Sequence, residues 1–396
     1  MRQFRVLHVT PHLGGGVGRC LSNLFSIKND DICREVLLLE EPVDRQFLDE
    51  ISKQHSVHRV QWTSDFDNFL SAFDVVQIEF WNHPAILHFL SVTQNCRLRR
   101  VFWCHISGKG DIRFPKFFIG SQEKIIFTSN QSNLCYNVNF PVINSGFGFS
   151  LDLGNLPNHN LRSSDFLFAG QLDFRKTHRE LSQILNAAGE KTSTPIYVIG
   201  GGKDLQKVQS EVAQNNVIFL GHVQNIEIYM SNAKFLVYPL KRGHYGTGEN
   251  IIKEAMSLGC IPLLLANEVE TEIAGPYSDI ICYRSVNRLI ASLSDLISKS
   301  NQGRYGKISR ELAYFCENQY GVGRSSKLFT AVYADALRSE PGPFKMTECF
   351  GPSFKDWHNS FEKQSRTRCG TKSNIDEASK GSFRHFFEYF KNSGIL

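Results

Sequence analysis

Residues 243–262, GHYGTGENIIKEAMSLGCIP, set three glycines and a threonine in front of an amphipathic helical pattern that carries Glu249, Asn250 and Glu254. A loop of Gly246, Thr247 and Gly248 can present main-chain N–H groups to a phosphate, because no side chain stands in the way. Glu254, about one turn into the helix, can accept two hydroxyl hydrogen bonds from a sugar ring. Such charge-assisted bonds contribute roughly 1.5–3 kcal/mol each when desolvated. An acid at a helix start is also favoured by the helix dipole with no ligand at all.

A second loop of this composition, HLGGGVGRCLSNL (12–24), follows the first strand-like run and leads into a helix. Its helix N-terminus favours an anion by roughly 0.3–1 kcal/mol at an exposed site. No Lys-Ser/Thr pair follows, so it is not a P-loop. The dinucleotide spacing extends only to Gly14 and Gly16, with Arg19 where the third glycine would fall. An ordinary strand-to-helix turn is an equal account. In AGQLDFRKTHREL (169–181), Lys176 lies five residues beyond Gln171 with Arg175 beside it, where a cation could reach a diphosphate or simply sit solvated on a helix start. His105 ends VFWCH at the carboxyl end of a strand. Glu79 occupies the same place in VVQIEF, and His83 follows it. Glu79 and His83 could face an acceptor, or serve as cap or rim residues.

Short β-branched or aliphatic runs alternate with helical patterns along most of the chain. Strands are expected at 5–10, 35–40, 75–80, 100–105 and 124–129, and again at 165–172, 195–201, 217–222, 235–240, 261–266 and 280–283. Each is nearly continuously apolar, as in a parallel sheet covered on both faces. Helices are expected at 179–189 and 250–259, each closing on glycine. The fold class is therefore α/β, with two doubly wound Rossmann-like domains. The expected divisions are an N-terminal domain at 1–148, a linker at 149–164, a C-terminal domain at 165–338 and an appendage at 339–396. In such proteins ligands bind at the carboxyl ends of the strands, here in a cleft between the two sheets.

Composition narrows the classes. The chain has 396 residues, 41% hydrophobic and 21% charged, which fits a soluble globular protein of two domains. A net charge of +5 tolerates anionic ligands but is too diffuse for nucleic acid. None of the ten cysteines forms a C-x-x-C pair, and several lie in apolar runs, so a reducing, cytoplasmic setting is expected. The N-terminus enters a strand at once with no secretory signal, and no run approaches the ~20 apolar residues of a membrane span. The segment SFRHFFEYFKN near the C-terminus interleaves basic and aromatic residues, which fits peripheral contact with an anionic leaflet or packing onto the N-terminal domain.

These segments together resemble the group 1 nucleotide-sugar glycosyltransferases, which are retaining enzymes of GT-B fold. The resemblance covers residues 5–337. It rests on HLGGGVG, on VINSGFGFSLDL as the linker, on FAGQLDFRKTHRELSQIL, and above all on GENIIKEAMSLGCIPLLL, which is similar to the family's E-x7-E-A-M-x-x-G-x-P-V signature. The resemblance implies a nucleotide-diphosphate sugar as donor and a saccharide or lipid-linked acceptor, in surface polysaccharide or glycolipid synthesis. Glu254 would hold the donor ribose, Lys176 the diphosphate, and Gly15 and Gly16 the transferred sugar and phosphate. His105 would reach the donor sugar from the N-terminal domain. Neither metal nor cofactor is implied, and the DFD at 65–67 lies where no metal site is expected. Two positions depart from the family. Gln171 stands for its diphosphate arginine, which Arg175 or Arg242 could replace, and Gly246 stands for its first glutamate, which Glu249 or His244 could replace. A non-catalytic GT-B protein that binds a glycan or partner enzyme is the second expectation, and an epimerase or phosphorylase on the same fold the third.

Overall fold

The computed structural model describes residues 4–27, 32–41, 45–61, 63, 65–81, 83–108, 123–149, 156–301 and 303–344. The chain divides into two compact units, Met1–Ser145 together with Ser325–Leu396, and Gly146–Arg324.

In the first unit, β1 (Phe4–Thr10), β2 (Ile32–Leu38), β3 (Val57–Arg59), β4 (Val75–Phe80), β5 (Arg100–Cys104) and β6 (Lys124–Phe127) form one sheet in the order β3-β2-β1-β4-β5-β6. In the second, β7 (Ser164–Ala169), β8 (Ile196–Ile199), β9 (Val217–Gly221), β10 (Ala233–Tyr238), β11 (Ile261–Leu265) and β12 (Cys282–Tyr283) are ordered β12-β11-β10-β7-β8-β9. The strand pairings are parallel in both. Counted from its own first strand, each unit has the same doubly wound order. Winding therefore reverses between β1 and β4, and again between β7 and β10. In doubly wound folds the loops leaving such strands diverge, and ligands bind between them.

Each expected apolar run contains a strand, with one correction. Ile280 and Ile281 end a short helix, Ser278–Ile281, so only Cys282 and Tyr283 of IICY are extended. The edge strand β3 was not anticipated, because three residues, VHR, carry no apolar run. The helix expected to stop at Gly189 continues to Lys191. A Cβ at Gly189 would lie 2.7 Å from the Gln214 side chain, so this glycine admits a neighbour and does not end the helix. The Asn250–Ser257 helix does stop as expected, with Gly259 at φ +67.

The sheet of the first unit has unlike faces. Leu7, Val9, Val76, Ile78, Phe80 and Phe102 join one apolar core. On the other face His8, Gln77 and Glu79 are fully buried. The Val322–Ala336 helix covers this polar face: Phe329 packs on Trp103 with rings 4.7 Å apart, and Tyr333 lies over it. Beyond the helix, part of the expected appendage belongs to the first unit. Gly342 bridges Leu98 antiparallel, and the buried Phe344 ring lies 5.8 Å from Phe102. Residues 345–396, including the basic and aromatic segment, lie outside the described residues.

Each unit is tied by a buried arginine that serves main-chain carbonyls. Arg100 donates to Thr93, Cys96 and Gly342. Arg162 donates to Met230 at 3.1 Å, Ala233 at 2.8 Å and Leu258 at 2.6 Å, which places its charge at the carboxyl ends of the Ile226–Asn232 and Asn250–Ser257 helices. Replacing Arg162 with alanine leaves these carbonyls unserved, and a loss of roughly 3–5 kcal/mol is expected by urea denaturation. A loss under about 1 kcal/mol would show that the carbonyls find other donors.

Candidate active site

Gly170 follows β7 at φ +154, and a Cβ there would meet the Tyr238 ring at 2.8 Å. Glycine is thus required for Tyr238 to lie across the strand end. The loop that begins at Gln171 then runs back along the chain leaving β10. Thr177 bridges Leu240, His178 N–H donates to Pro239 at 2.8 Å, and Lys241 N–H donates to Lys176 at 2.8 Å. This lacing delivers Lys176 to the start of the Asn250–Ser257 helix, where its Nζ lies 3.1 Å from Glu249 Oε2. The Tyr238 hydroxyl donates to the same oxygen at 2.8 Å.

Glu249 caps that helix at φ 29, a left-handed conformation that costs a residue with a Cβ about 1–3 kcal/mol. Its side chain is 1% exposed. Burial opposes its ionisation, but the Lys176 ammonium and the Tyr238 hydroxyl outweigh this and hold the carboxyl below its ordinary value. Burial likewise pulls Lys176 down, and the Glu249 carboxylate more than reverses it, so the ammonium is held charged. A Cβ at Gly246 would lie 1.8 Å from Glu249 Oε1. The carboxylate therefore occupies the space in which a side chain at 246 would begin. Oε1 is buried and makes no hydrogen bond among the described residues.

Around this pair, Gly246 N–H donates to His244 Nδ1 at 3.0 Å, so His244 carries its proton on Nε2, which donates to the buried Glu270 at 2.7 Å. Tyr245 hydroxyl donates to Gln171 Oε1 at 3.2 Å. Arg175 is bound by Asp173 through Nε and Nη2, at 2.8 and 2.6 Å, and Lys203 also approaches Asp173 at 3.4 Å. Arg175 is thus engaged, and Arg242 is exposed. Thr247, Gly248 and Glu254 are buried in the loop and first turn, and Lys253 donates to the Gly248 carbonyl beneath them. Asn250 is half-buried against Gly146, where a Cβ would come within 2.8 Å of Asn250 Oδ1.

In the first unit, Gly14 caps the Gly15–Phe25 helix, and Gly15 takes φ +62 with nothing within 4 Å of the space a Cβ would fill. Gly15 and Gly16 are exposed. The rings of His12, Trp81 and His83 cluster beside this loop, with His12 5.2 Å from Trp81 and 6.0 Å from His83. His83 is a cap: its Nδ1 accepts the Ala85 N–H at 3.2 Å, and its Nε2 lies 3.6 Å from Glu40. Glu79 does not face outward as an acceptor-side residue would. It is fully buried, and its carboxylate accepts from His8 Nδ1 at 2.9 Å, Gln77 Nε2 at 2.8 Å and His105 Nε2 at 2.8 Å. Burial opposes its ionisation, and the His105 and His8 hydrogen bonds hold the carboxyl below its ordinary value. Burial lowers His8 despite that contact.

Sequence reasoning missed His8, Gln77, Tyr238 and Glu270. One signal for the first two was available: each is a polar residue between two apolar neighbours in a strand. Among the described residues no group of three or more His, Cys, Asp or Glu could hold a metal ion, and no helix is long and apolar enough to cross a membrane. Asp67 of the DFD accepts from the Cys96 thiol at 2.8 Å.

Two parallel six-stranded sheets of this order, with glycine loops and charged side chains at the switch points, place the protein in the GT-B class. Structural comparison agrees. A glycosyltransferase from Rickettsia africae ESF-5 aligns at 14% identity and TM-score 0.66, covering 86% of this chain and 100% of that one. Anabaena Alr3699/HepE, solved in complex with UDP-glucose, aligns at 14% and 0.64, covering 84% and 100%. The lipopolysaccharide outer core galactosyltransferase WaaB aligns at 14% and 0.55, covering 84% and 99%. No curated protein matches. Residues 163–298, which lie within the second unit, match the family model described as glycosyl transferases group 1.

The sign of the Glu249 effect on stability follows from its lowered folded value. The unfolded chain binds the proton first, so the contribution is full above the ordinary 4.5 and is lost as pH falls through the folded value. Glu249→Gln is expected to cost about 3 kcal/mol at pH 7, with the difference from wild type shrinking below pH 4.5. Thermal denaturation across pH checks this; a pH-independent difference would contradict the pair.

Proposed function

We propose that the protein is a retaining glycosyltransferase that moves a sugar from a nucleotide-diphosphate donor to a saccharide or lipid-linked acceptor, in surface polysaccharide or glycolipid synthesis. One observation carries this above all: in the family-matching unit, the Glu249 carboxylate fills the space over Gly246 while paired to Lys176 at a strand end. In this reading Glu249, three residues along the chain, supplies the carboxylate that Gly246 lacks. The folds of Alr3699/HepE, solved with UDP-glucose, and of WaaB support the same class of donor chemistry.

In this proposal Lys176 and the N–H groups of the Gly246–Gly248 loop meet the diphosphate, whose charge grows as the glycosidic bond breaks. The free Oε1 of Glu249 accepts from a hydroxyl of the donor sugar, and Glu254 holds the ribose. Gln171, Arg175, Thr247 and Asn250 complete the donor side, Gly15 and Gly16 offer open backbone, and His105 supplies a ring nitrogen to a substrate hydroxyl. The reaction uses neither a metal ion nor a resident cofactor. The segment 382–396 makes peripheral contact with an anionic leaflet.

Titration against a panel of nucleotide sugars, with lipid and saccharide acceptors supplied for turnover, tests the activity. Failure to bind or hydrolyse any donor would favour a non-catalytic GT-B protein. Once a donor is found, Glu254→Ala is expected to weaken nucleotide binding by roughly 10–100-fold, the loss of one charge-assisted hydrogen bond or more; unchanged affinity would remove Glu254 from the ribose. Deletion of 382–396 is expected to abolish sedimentation with anionic vesicles, and unchanged sedimentation would refute the membrane contact.

A further inference from the structure

Glu79 carries a charge in the interior of the first unit without touching solvent, and the groups around it form a line. Strand register sets it. His8 of β1 pairs with Gln77 of β4, and Glu79 of β4 pairs with Trp103 of β5. Alternation along β4 puts Gln77 and Glu79 on the same face. Tyr333, fully buried on the C-terminal helix, donates its hydroxyl to Gln77 Oε1 at 2.5 Å. That interaction orients the Gln77 amide so that Nε2 donates to Glu79 Oε1 at 2.8 Å. His8 Nδ1 meets the same oxygen, which leaves Oε2 for His105 Nε2 at 2.8 Å.

The consequence falls on His105. Its main-chain N–H is held by the Phe80 carbonyl at 2.8 Å, and its ring lies 4.6 Å from that of Trp103. Glu79, an ionised acceptor, requires a proton on Nε2 of His105. The lone pair is then on Nδ1, which makes no hydrogen bond to a described residue. A buried carboxylate is costly to keep for packing alone, and an apolar residue of similar volume would serve a structural role at least as well. Glu79 instead spends an oxygen on a histidine at the strand end.

We infer that Glu79 is a positioning residue, held by His8 and by the Tyr333–Gln77 pair, that fixes His105 as the Nε2–H tautomer and so presents Nδ1 as a hydrogen-bond acceptor to a substrate hydroxyl. This rests on the proposed function only for the identity of the hydroxyl. The tautomer itself is a property of the free protein.

The test has two arms. In the full chain without substrate, long-range ¹H–¹⁵N correlation spectra of the histidine rings, assigned by His105→Ala, are expected to show His105 protonated on Nε2 and not on Nδ1. Glu79→Gln is expected to convert this to a mixture of tautomers, and Tyr333→Phe to a smaller shift in the same direction. With a donor in hand, Glu79→Gln is expected to lower kcat by about 100-fold with KM little changed, and to cause no further loss in a His105→Ala background. An Nδ1–H tautomer in the wild type, or a His105 spectrum unchanged in both variants, would overturn the inference. So would losses from Glu79→Gln and His105→Ala that multiply. If Glu79→Gln fails to fold, Tyr333→Phe decides the spectral arm alone. If no donor is turned over while the tautomer behaves as expected, the positioning stands and the proposed activity falls.

Discussion

A carboxylate withdrawn from water stays ionised only where a cation or several hydrogen-bond donors reach it, and both units are arranged around meeting that requirement at a strand end. In the second unit Glu249 is held by Lys176 and Tyr238. In the first, Glu79 is held by His8, Gln77 and His105. Much of the surrounding structure follows. Gly170 must be glycine for Tyr238 to lie where its hydroxyl meets Glu249, and the laced main chains of 176–178 and 239–241 bring the lysine to its partner. The Val322–Ala336 helix, from Ser325 a part of the first unit, supplies the hydroxyl that orients Gln77.

The shared strand order of the two units extends to a small chemical device. After each of the four strands flanking the switch points, β1, β4, β7 and β10, a histidine accepts through Nδ1 the N–H two residues later. The pairs are His12 with Gly14, His83 with Ala85, His178 with Glu180 and His244 with Gly246. A chain that leaves a parallel strand and enters a helix has N–H groups with no helical acceptor, and a ring nitrogen satisfies one of them. Because the ring is rigid, the turn is narrowed as well. At His12 and His244 this turn is set among glycines.

The strands were legible because helices on both faces make a parallel strand continuously apolar, and that pattern survives without context. What failed was too short or ambiguous in kind: β3 has three residues, and Ile280 and Ile281 serve a helix as well as a strand. Gly189 misled because glycine marks a close approach as readily as a helix end. The candidate residues divide similarly. Lys176 was singled out within one segment and His105 from its place at a strand end, and each meets a buried carboxylate, Glu249 and Glu79. The burial of Glu79 and the capping role of His83 were not legible, since each depends on residues far away in the chain. His8 lies 71 positions from Glu79, and Glu40 approaches His83 from a different strand end.

Gly246 shows why a departure from a family pattern is poorly read as a loss. Along the sequence a carboxylate is missing. In space the Glu249 carboxylate begins where the side chain of 246 would have been, and a glycine there is what allows it, since even a methyl group would strike Oε1. The bare glycine and the inserted carboxylate are one steric arrangement. Its cost is a left-handed backbone at Glu249, and what offsets that cost is the ion pair with Lys176. Of the two oxygens, one is committed to Lys176 and Tyr238, and the other is aimed at the glycine loop. A carboxylate so held can accept a hydrogen bond but not give one. In the donor role proposed for this pair, it would favour a ring position that bears a hydroxyl over one that bears an acid or lacks a proton, which would tie donor choice to the pair that keeps the loop in place.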